Sequence, residues 1–281
     1  MLRYNIAKPL LKLLLIKKHL FNKTDFIKTI VYHDVSSDHI NNFKKQIEFV
    51  HNKYGFINPK DFDNTLFGRN NNHDKILLTF DDGFKSNIII AKKILSVFNI
   101  KALFFIPTGF INIKQRAEQK IYIVNNFFNN RLSKTQISDD MSPMDWDDLK
   151  YLTKQGHLIG AHTINHNKLS NIKSKESLKS EIIGCREELT NKLGTPIDHF
   201  AYTFGDINSI NKKALNIIKN NYKYCHSSIR GNNHSYSSLY ALLRDPISPQ
   251  YPIEYLQFII ENGLGLLYKK RSNILNQLVC D

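Results

Sequence analysis

Short, strongly apolar segments alternate with longer segments of helical periodicity, and this alternation constrains the fold more than any other feature of the chain. The segment at 38–55 repeats apolar residues every three or four positions and ends at Gly55, as an amphipathic helix does. β-branched and aromatic residues typical of buried strands fill three other segments: 28–35, 75–80 and 101–108. Strands that alternate with helices form βα units, so the sequence predicts an α/β fold with a parallel sheet.

The same alternation continues after one interruption. Helices are predicted at 142–156 and 174–194, with short strands after each. Residues 112–140 break the pattern and are interpreted as an insertion that contains a helix and a local apolar core. No repeat and no Pro/Ser-rich linker divides the chain. We therefore predict a single domain at 25–281, preceded by a basic, amphipathic segment at 1–24.

Composition limits the classes of partner and the type of metal site. The 281 residues carry a formal net charge of +14, which suits an anionic partner, but no clustered basic motif indicates nucleic acid. The three cysteines lie far apart and form no CxxC pair. A disulfide framework and a thiolate zinc site are therefore not indicated, and the cysteine content fits a reducing compartment.

The N-terminal segment is both apolar and basic. Its longest apolar run, Leu13 to Ile16, is far shorter than the roughly 20 residues of a membrane-spanning helix. Lys12 interrupts the apolar region and no small-x-small cleavage site follows, so an export signal is not predicted. Two alternatives remain: an amphipathic helix on an anionic membrane surface, or a helix packed on the domain. We expect a cytoplasmic protein, with peripheral attachment to the inner membrane surface as the first of these alternatives.

Two adjacent carboxylates, Asp81 and Asp82, follow the predicted strand at 75–80 and precede Gly83. The carboxyl ends of parallel strands are where such folds carry their active sites. Two carboxylates this close repel each other unless a cation offsets their charge. A metal ion is the simplest such cation.

A pair of histidines follows a later strand and supplies further ligands. His162 and His166 are four residues apart in GAHTINH. Together with Asp82 they would form a set of two imidazoles and one carboxylate, which leaves coordination positions open. The alternative is a pair of polar loop histidines and a pair of helix-capping aspartates.

Three segments in this order, LLTFDDGF, GHLIGAHTINH and HFAYTFG, resemble the successive motifs of the polysaccharide deacetylases of carbohydrate esterase family four. The resemblance extends from about residue 28 to about residue 246. It implies a distorted (β/α)7 TIM-like barrel as a single catalytic domain. It also implies removal of N-acetyl groups from amino sugars with one divalent metal ion, zinc by default and cobalt or nickel as alternatives.

Position by position, the resemblance implies that Asp81 is the general base and that Asp82, His162 and His166 are the metal ligands. The chemistry calls for the same roles, because an amide is a poor electrophile and water a poor nucleophile, and a divalent ion assists both. Asp81 lies beside that ion without binding it and can accept the proton of water. Thr163 would support the histidine loop, or it is only a loop hydroxyl.

The third motif departs from the family pattern because it lacks the arginine that orients the base. It reads Ala201-Tyr202-Thr203-Phe204-Gly205. Tyr202 and Phe204 are expected at the oxyanion or substrate, with the backbone N–H of Phe204 as an oxyanion donor. Arg244 is the candidate replacement for the missing charge, and the alternative is a surface arginine.

The family's last motif, a Leu-x-His that supplies the general acid, is also missing, since the C-terminal segment reads Leu242-Leu243-Arg244. The first strand carries a histidine instead, His33, which resembles the circularly permuted arrangement of part of the family. His33 is therefore expected to protonate the departing amine. His226 is the second candidate, and a buried structural role for His33 is the alternative.

These inferences predict a metal-dependent hydrolase that removes N-acetyl or related acyl groups from amino-sugar residues in cell-envelope polysaccharide metabolism. The expected partners are an N-acetylated oligo- or polysaccharide or a lipid-linked amino sugar, with peripheral contact to an anionic membrane. One rival is a catalytically silent carbohydrate-binding relative. A non-haem Fe(II) oxygenase is the other, but that chemistry has no evident use for an unligated Asp81.

Overall fold

Seven parallel strands form one curved sheet in the computed structural model, which describes residues 7–12, 14, 26–69, 76–128, 130–138 and 140–280. The strands are β1 (Lys28–Tyr32), β2 (Ile76–Phe80), β3 (Leu103–Ile106), β4 (Leu158–Ala161), β5 (His199–Ala201), β6 (Tyr224–His226) and β7 (Asp245–Pro246). Their order in space is β6-β5-β4-β3-β2-β1-β7. The predicted parallel α/β fold is confirmed.

The segment at 239–247 closes the sheet into a distorted barrel. On one side, Cys225 N–H donates to the Leu239 carbonyl at 2.8 Å and Ser227 N–H donates to the Leu242 carbonyl at 2.8 Å. On the other side, Ile247 N–H donates to the Val31 carbonyl at 2.9 Å, beside the short pairing of β7 with β1. The last strand therefore lies next to the first.

Helices cover the outside of the sheet. The longest before the C-terminus, Ile40–Tyr54, buries Phe43, Ile47 and Val50 against the sheet, which is the face that the sequence pattern predicts. The other helices are Phe62–Leu66, Lys85–Ile90, Thr108–Asn112, Arg116–Tyr122, Trp146–Lys154, Lys175–Lys179, Cys185–Leu193, Lys212–Asn221, Ile253–Ile260 and Gly265–Cys280. Single wider turns extend three of them: Ala91–Leu95, Ile123–Phe127 and Ser180–Gly184.

The insertion at 112–140 contains a helix, Arg116–Tyr122, and forms its own small core. Its buried residues Ile123 and Val124 pack with Phe84 and Phe110 of the main domain. The local core agrees with the interpretation of the sequence. The insertion also contacts the histidine loop, which the sequence does not indicate.

One helical turn of the N-terminal segment is described, at 7–12, and it packs on the domain. Ala7 and Leu11 are 1% and 7% exposed in the main core, and the Lys8 ammonium lies 3.0 Å from the Glu254 carboxylate. This favours the second alternative for this turn. The predicted boundary between residues 24 and 25 lies outside the described residues.

In the described part of the chain, no helix combines the length and the apolarity that crossing a bilayer requires.

A buried ion cluster fixes the strand that closes the barrel. The Asp245 carboxylate lies 2.6 Å from the Lys28 ammonium and 3.3 Å from the Arg230 guanidinium, and Lys28 and Asp245 are each 1% exposed at the side chain. Burial lowers the pKa of Lys28, and the charge of Asp245 opposes that change. Loss of either partner of such a buried pair strongly destabilises the folded protein, because the other charge is left buried without a partner. The pair therefore helps to fix β7 against β1, although β7 is only two residues long.

Candidate active site

The two adjacent carboxylates face different partners because the backbone turns sharply between them. Asp82 has a φ of 72° and Gly83 a φ of 70°, both in the left-handed region that a strand cannot continue through. A side chain at Gly83 would lie 3.2 Å from Ile111, so the turn is also crowded. Asp81 and Asp82 therefore both reach the carboxyl end of the sheet, with separate surroundings.

Asp81 is held by Arg244 through two parallel hydrogen bonds. Nη1 and Nη2 of Arg244 donate to Oδ1 and Oδ2 of Asp81 at 2.7 and 2.8 Å, and both residues are buried. The Arg244 guanidinium also lies over the Phe105 ring at 4.9 Å. Burial raises the pKa of Asp81, but the charge and hydrogen bonds of Arg244 outweigh it, and the pKa lies below its ordinary value. The alternative of a surface arginine is wrong, since Arg244 is fully buried.

Asp82, His162 and His166 meet at one point. The Asp82 Oδ1 atom lies 3.5 Å from His162 Nε2 and 3.3 Å from His166 Nε2. All three side chains are buried, and one ligand atom from each lies within 4.8 Å of the other two. Burial raises the pKa of Asp82, but the two imidazoles lower it more, so that the carboxyl is ionised.

The hydrogen bonds behind the two imidazoles orient them to bind a cation. His162 Nδ1 donates to the Ala201 carbonyl at 2.7 Å, and His166 Nδ1 donates to the Asn126 carbonyl at 2.8 Å. A carbonyl can only accept, so Nδ1 of each ring carries a proton, and Nε2 is the ring atom left to bind a cation. Within the described residues, Asp82 Oδ1 has no hydrogen-bond partner of good geometry. Three lone pairs that converge in a buried place fit a divalent metal ion.

The Glu181 carboxylate holds the loop that carries His166 through four hydrogen bonds. Its Oε2 accepts the N–H of Ile164 at 3.0 Å and of Asn165 at 2.9 Å. Its Oε1 accepts the side-chain amides of Asn165 at 2.8 Å and Asn167 at 2.9 Å. Glu181 is 6% exposed and lies in one of the wider helical turns, a feature frequent at functional sites.

The sequence suggests that the Thr163 hydroxyl supports this loop, but the hydroxyl that bonds to the loop is that of Thr203. The Thr163 hydroxyl is buried and has no hydrogen-bond partner among the described residues, although Thr163 adopts a left-handed φ of 64°. The Thr203 hydroxyl instead donates to the Asn167 carbonyl at 2.7 Å. Thr203 thus links the third motif to the histidine loop.

The insertion contributes to the same loop from the opposite side. Asn126 accepts the Nδ1 proton of His166 and donates its side-chain amide to the Asn165 carbonyl at 2.6 Å. The His166 ring lies edge-on between Phe127 and Phe204, with ring centroids 4.7 and 4.9 Å away. Sequence patterns alone do not reveal these contacts, because a backbone carbonyl can come from any residue type.

A cavity of about 460 Å³ opens above these groups and is lined by His33, Asp81, Asp82, His162, His166 and Phe204, among others. His33 is exposed, so the alternative of a buried structural histidine is wrong. Asp34, which the sequence interpretation did not single out, lines the cavity as well, and burial raises its pKa. Phe127, Phe128 and Met141 form an apolar wall.

The two residues expected at the oxyanion or substrate lie in different places. Phe204 lines the cavity with a left-handed φ of 60°, and its N–H makes no hydrogen bond to a backbone or side-chain atom of the described residues. Tyr202 is only 1% exposed, packs in the main core and does not line the cavity. A direct side-chain contact of Tyr202 with substrate is therefore not supported, because Tyr202 directly follows β5 and its side chain packs in the same core as that of Phe200.

His226, the second candidate for the general acid, lies elsewhere. It is fully buried, with Nε2 3.1 Å from His199 Nδ1, and its ring is 5.1 Å from that of Phe105. Burial lowers the pKa of His226 well below its ordinary value and that of His199 to about 3. His226 is therefore neutral near pH 7 and does not line the cavity.

Comparison with known proteins identifies the family. The family model "Polysaccharide deacetylase" matches residues 68–223, more than half of the chain. The chain belongs to the polysaccharide deacetylase family, whose members are carbohydrate deacetylases. The matched residues include Asp81, Asp82, His162, His166 and Phe204. His33 and Arg244 lie outside the match. No curated protein matches the chain.

Solved structures of deacetylases share the fold. The Streptococcus pyogenes deacetylase PplD, solved with acetate, is similar with a TM-score of 0.64 and 20% identity, over 84% of this chain and 98% of that one. IcaB from Ammonifex degensii gives a TM-score of 0.63 and 19% identity, over 84% and 97% of the two chains. A de-N-acetylase from Aggregatibacter actinomycetemcomitans gives 0.63 and 14%, over 84% and 100%. These structures support the barrel fold.

Proposed function

We propose that this protein is a metal-dependent hydrolase that removes N-acetyl or related acyl groups from amino-sugar residues of a glycan or glycolipid. The observation that carries the proposal is the pairing of an unligated carboxylate with a cation site. Asp81 is held by Arg244 beside Asp82, His162 and His166 in one cavity. Amide hydrolysis needs both a base and an electrophile at the same place.

Asp82, His162 and His166 would hold the metal ion, zinc by default or cobalt or nickel. When bound, this ion would supply the positive charge that makes water easier to deprotonate and a carbonyl easier to attack. Asp81 would accept the proton of the attacking water, because Arg244 keeps it ionised and fixes its direction. The N–H of Phe204 would donate to the developing oxyanion.

His33 would supply the proton for the departing amine. It is exposed in the same cavity as Asp81, and histidine is the side chain that enzymes use most often to transfer a proton to or from a reacting group. The acid and the base would then face the scissile bond from different strands. The base follows β2 and the acid follows β1.

The two rival functions have less support. A silent binding module has no need for a buried Arg244–Asp81 pair at the bottom of the cavity, since its formation buries two charges. An Fe(II) oxygenase needs the same three ligands but leaves Asp81 without a role. Neither rival explains both carboxylates.

The decisive experiment measures acetate release from N-acetylated chito-oligosaccharides by the zinc-, cobalt- or nickel-loaded protein. Asp81→Asn is expected to lower the rate by roughly 100- to 10,000-fold, the range for loss of a general base, and to leave metal binding intact. Asp147→Asn, a 91% exposed carboxylate side chain, is the matched control with an unchanged rate. Metal binding by the wild type with no acetate release from any acylated amino sugar would support the silent module, and a requirement for O₂ would support the oxygenase.

A role in envelope glycan metabolism and a location at the cytoplasmic membrane surface are part of the same proposal. The location is supported by the net charge of +14 and by the three cysteines, which are not paired with one another in the described structure. Fractionation of cells that express the full chain, at low and high salt, tests the location. Recovery only in the soluble fraction at low salt would contradict it.

A further inference from the structure

The C-terminal helix, Gly265–Cys280, begins with two leucines that are almost fully exposed. Leu266 and Leu267 are 87% and 75% exposed, and Ile274, two turns after Leu267, is 39% exposed. Residues seven positions apart share a helix face, so Leu267 and Ile274 lie on the same side. Single exposed apolar residues are common on proteins, but two consecutive exposed leucines, one of which shares its helix side with Ile274, form an apolar patch that fits an interaction surface. We call residues 266–274 the leucine–lysine turn.

The charges of the leucine–lysine turn are all positive. Lys269, Lys270 and Arg271 are exposed, and the whole helix contains no aspartate or glutamate. Lys270 lies one turn after Leu266, directly beside the apolar residues. Apolar residues with lysines and arginine around them are the pattern of a helix that lies in an anionic membrane interface.

Two contacts place this turn near the mouth of the cavity. Arg271 lies 3.8 Å from the Asp206 carboxylate, and Asp206 is two residues after Phe204, which lines the cavity. The Arg230 guanidinium lies over the Tyr268 ring at 6.0 Å and donates to the Pro246 carbonyl at 2.8 Å, and Pro246 also lines the cavity. The helix that carries the exposed leucines therefore contacts residues adjacent to segments that line the cavity.

We propose that the leucine–lysine turn docks this protein on an anionic lipid surface, so that the cavity receives amino sugars attached to lipid. The proposal rests on the proposed deacetylation and names the form of its substrate. A second copy of the chain is a poorer occupant, because pairing two such turns would bring six like charges together on proteins that each carry +14. An anionic bilayer offers both an apolar layer for the leucines and counter-charge for the lysines.

Binding of the full chain to vesicles tests the docking directly. Vesicles of phosphatidylcholine alone are compared with equimolar phosphatidylcholine and phosphatidylglycerol by co-sedimentation at low and high salt. The wild type is expected to bind only the mixed vesicles, with affinity that falls as salt rises. The double variant Leu266→Ser, Leu267→Ser is expected to bind at least about tenfold more weakly, since two buried leucines are lost from the interface. Lys269→Gln with Lys270→Gln is expected to weaken binding by a similar factor.

A matched control and a second reaction separate this proposal from the proposed function. Val97→Ser changes another residue that is 71% exposed and lies before β3, at the opposite end of the strands, so its vesicle binding should equal that of the wild type. All variants should keep wild-type acetate release from soluble oligosaccharides, while the leucine variant loses rate only on lipid-linked amino sugars in anionic vesicles. The docking proposal would be overturned if the wild type and the leucine variant bound vesicles equally. It would also be overturned if the wild type self-associated without binding lipid and the leucine variant did not self-associate. Vesicle binding without deacetylation of any substrate would instead overturn the function.

Discussion

The two sides of the cavity are built in different ways. On the ligand side, Asp82, His162 and His166 follow β2 and β4, and backbone carbonyls and Glu181 hold them in place. On the closing side, His33 follows β1 and Arg244 precedes β7, where buried ion pairs fix the strand. The family match at 68–223 contains the first side and neither residue of the second.

This difference shows what the barrel requires and what it leaves free. The ligand side depends on short-range order, since the histidine loop must keep its spacing for both rings to face Asp82. The closing side depends only on position in space, because a ring of strands brings the first and last strands together. Arg244 from near one end of the chain can therefore bind Asp81, and His33 from near the other end can line the same cavity as Asp81.

The largest expected effect follows from removal of Asp82, one of the three proposed metal ligands. Asp82→Asn should abolish zinc binding at micromolar concentrations, a loss greater than the roughly 10- to 100-fold that supporting residues cause, because the amide provides no charge to offset the ion. Competition with a chromophoric chelator measures the affinity, and circular dichroism shows whether the fold is kept. Asp81→Asn should retain metal, and equal affinities of the two variants would contradict the division of roles.

An intermediate effect is expected when the closing side is broken. Arg244→Gln leaves Asp81 buried without its partner, so the free energy of unfolding should fall by about 3–5 kcal/mol in urea denaturation. Arg271→Gln, which changes a half-exposed arginine, should have almost no effect. The folded-state pKa of Asp81 is lowered, so the stabilisation is present above the unfolded pKa of about 4 and is lost as pH falls. The difference in free energy of unfolding between wild type and Arg244→Gln should therefore become smaller below pH ~4. A difference that stays constant with pH would show that the loss of stability does not come from the charge of Asp81.

The smallest of the three effects concerns the support of the histidine loop. Glu181→Gln should weaken zinc binding by about 10- to 100-fold, because an amide cannot accept all four hydrogen bonds that the carboxylate receives. Glu187→Gln, an exposed residue of the following helix, serves as the control. Unchanged affinity together with a lower melting temperature would mean that Glu181 stabilises the fold without orienting His166.

Much of the ligand side was accessible from the sequence, and less of the closing side was. Apolar strands and helical periodicity predicted the parallel α/β fold, and the resemblance of three motifs to the family implied the barrel. The spaced carboxylate and histidine motifs predicted that Asp82, His162 and His166 lie together. For Arg244, the sequence left two alternatives open, a position beside the base or a position on the surface. A sequence does not show which residue the closure of the barrel places opposite Asp81. Asn126 and Glu181 could not be predicted, since a carbonyl acceptor leaves no mark on residue type and a helical glutamate is usually exposed. Tyr202 is buried in the core and does not line the cavity, and its motif alone does not show this.

Closure of the barrel by residues 239–247 has a practical consequence for work with shortened proteins. A fragment limited to 68–223 would keep the ligand motifs but lack β1, β6 and β7. Its β2 and β5 would become open edges with unpaired N–H and C=O groups, which favour strand pairing between molecules. The segment that is easiest to recognise would therefore aggregate when expressed alone, and a useful expression boundary must enclose both the first strand and the last.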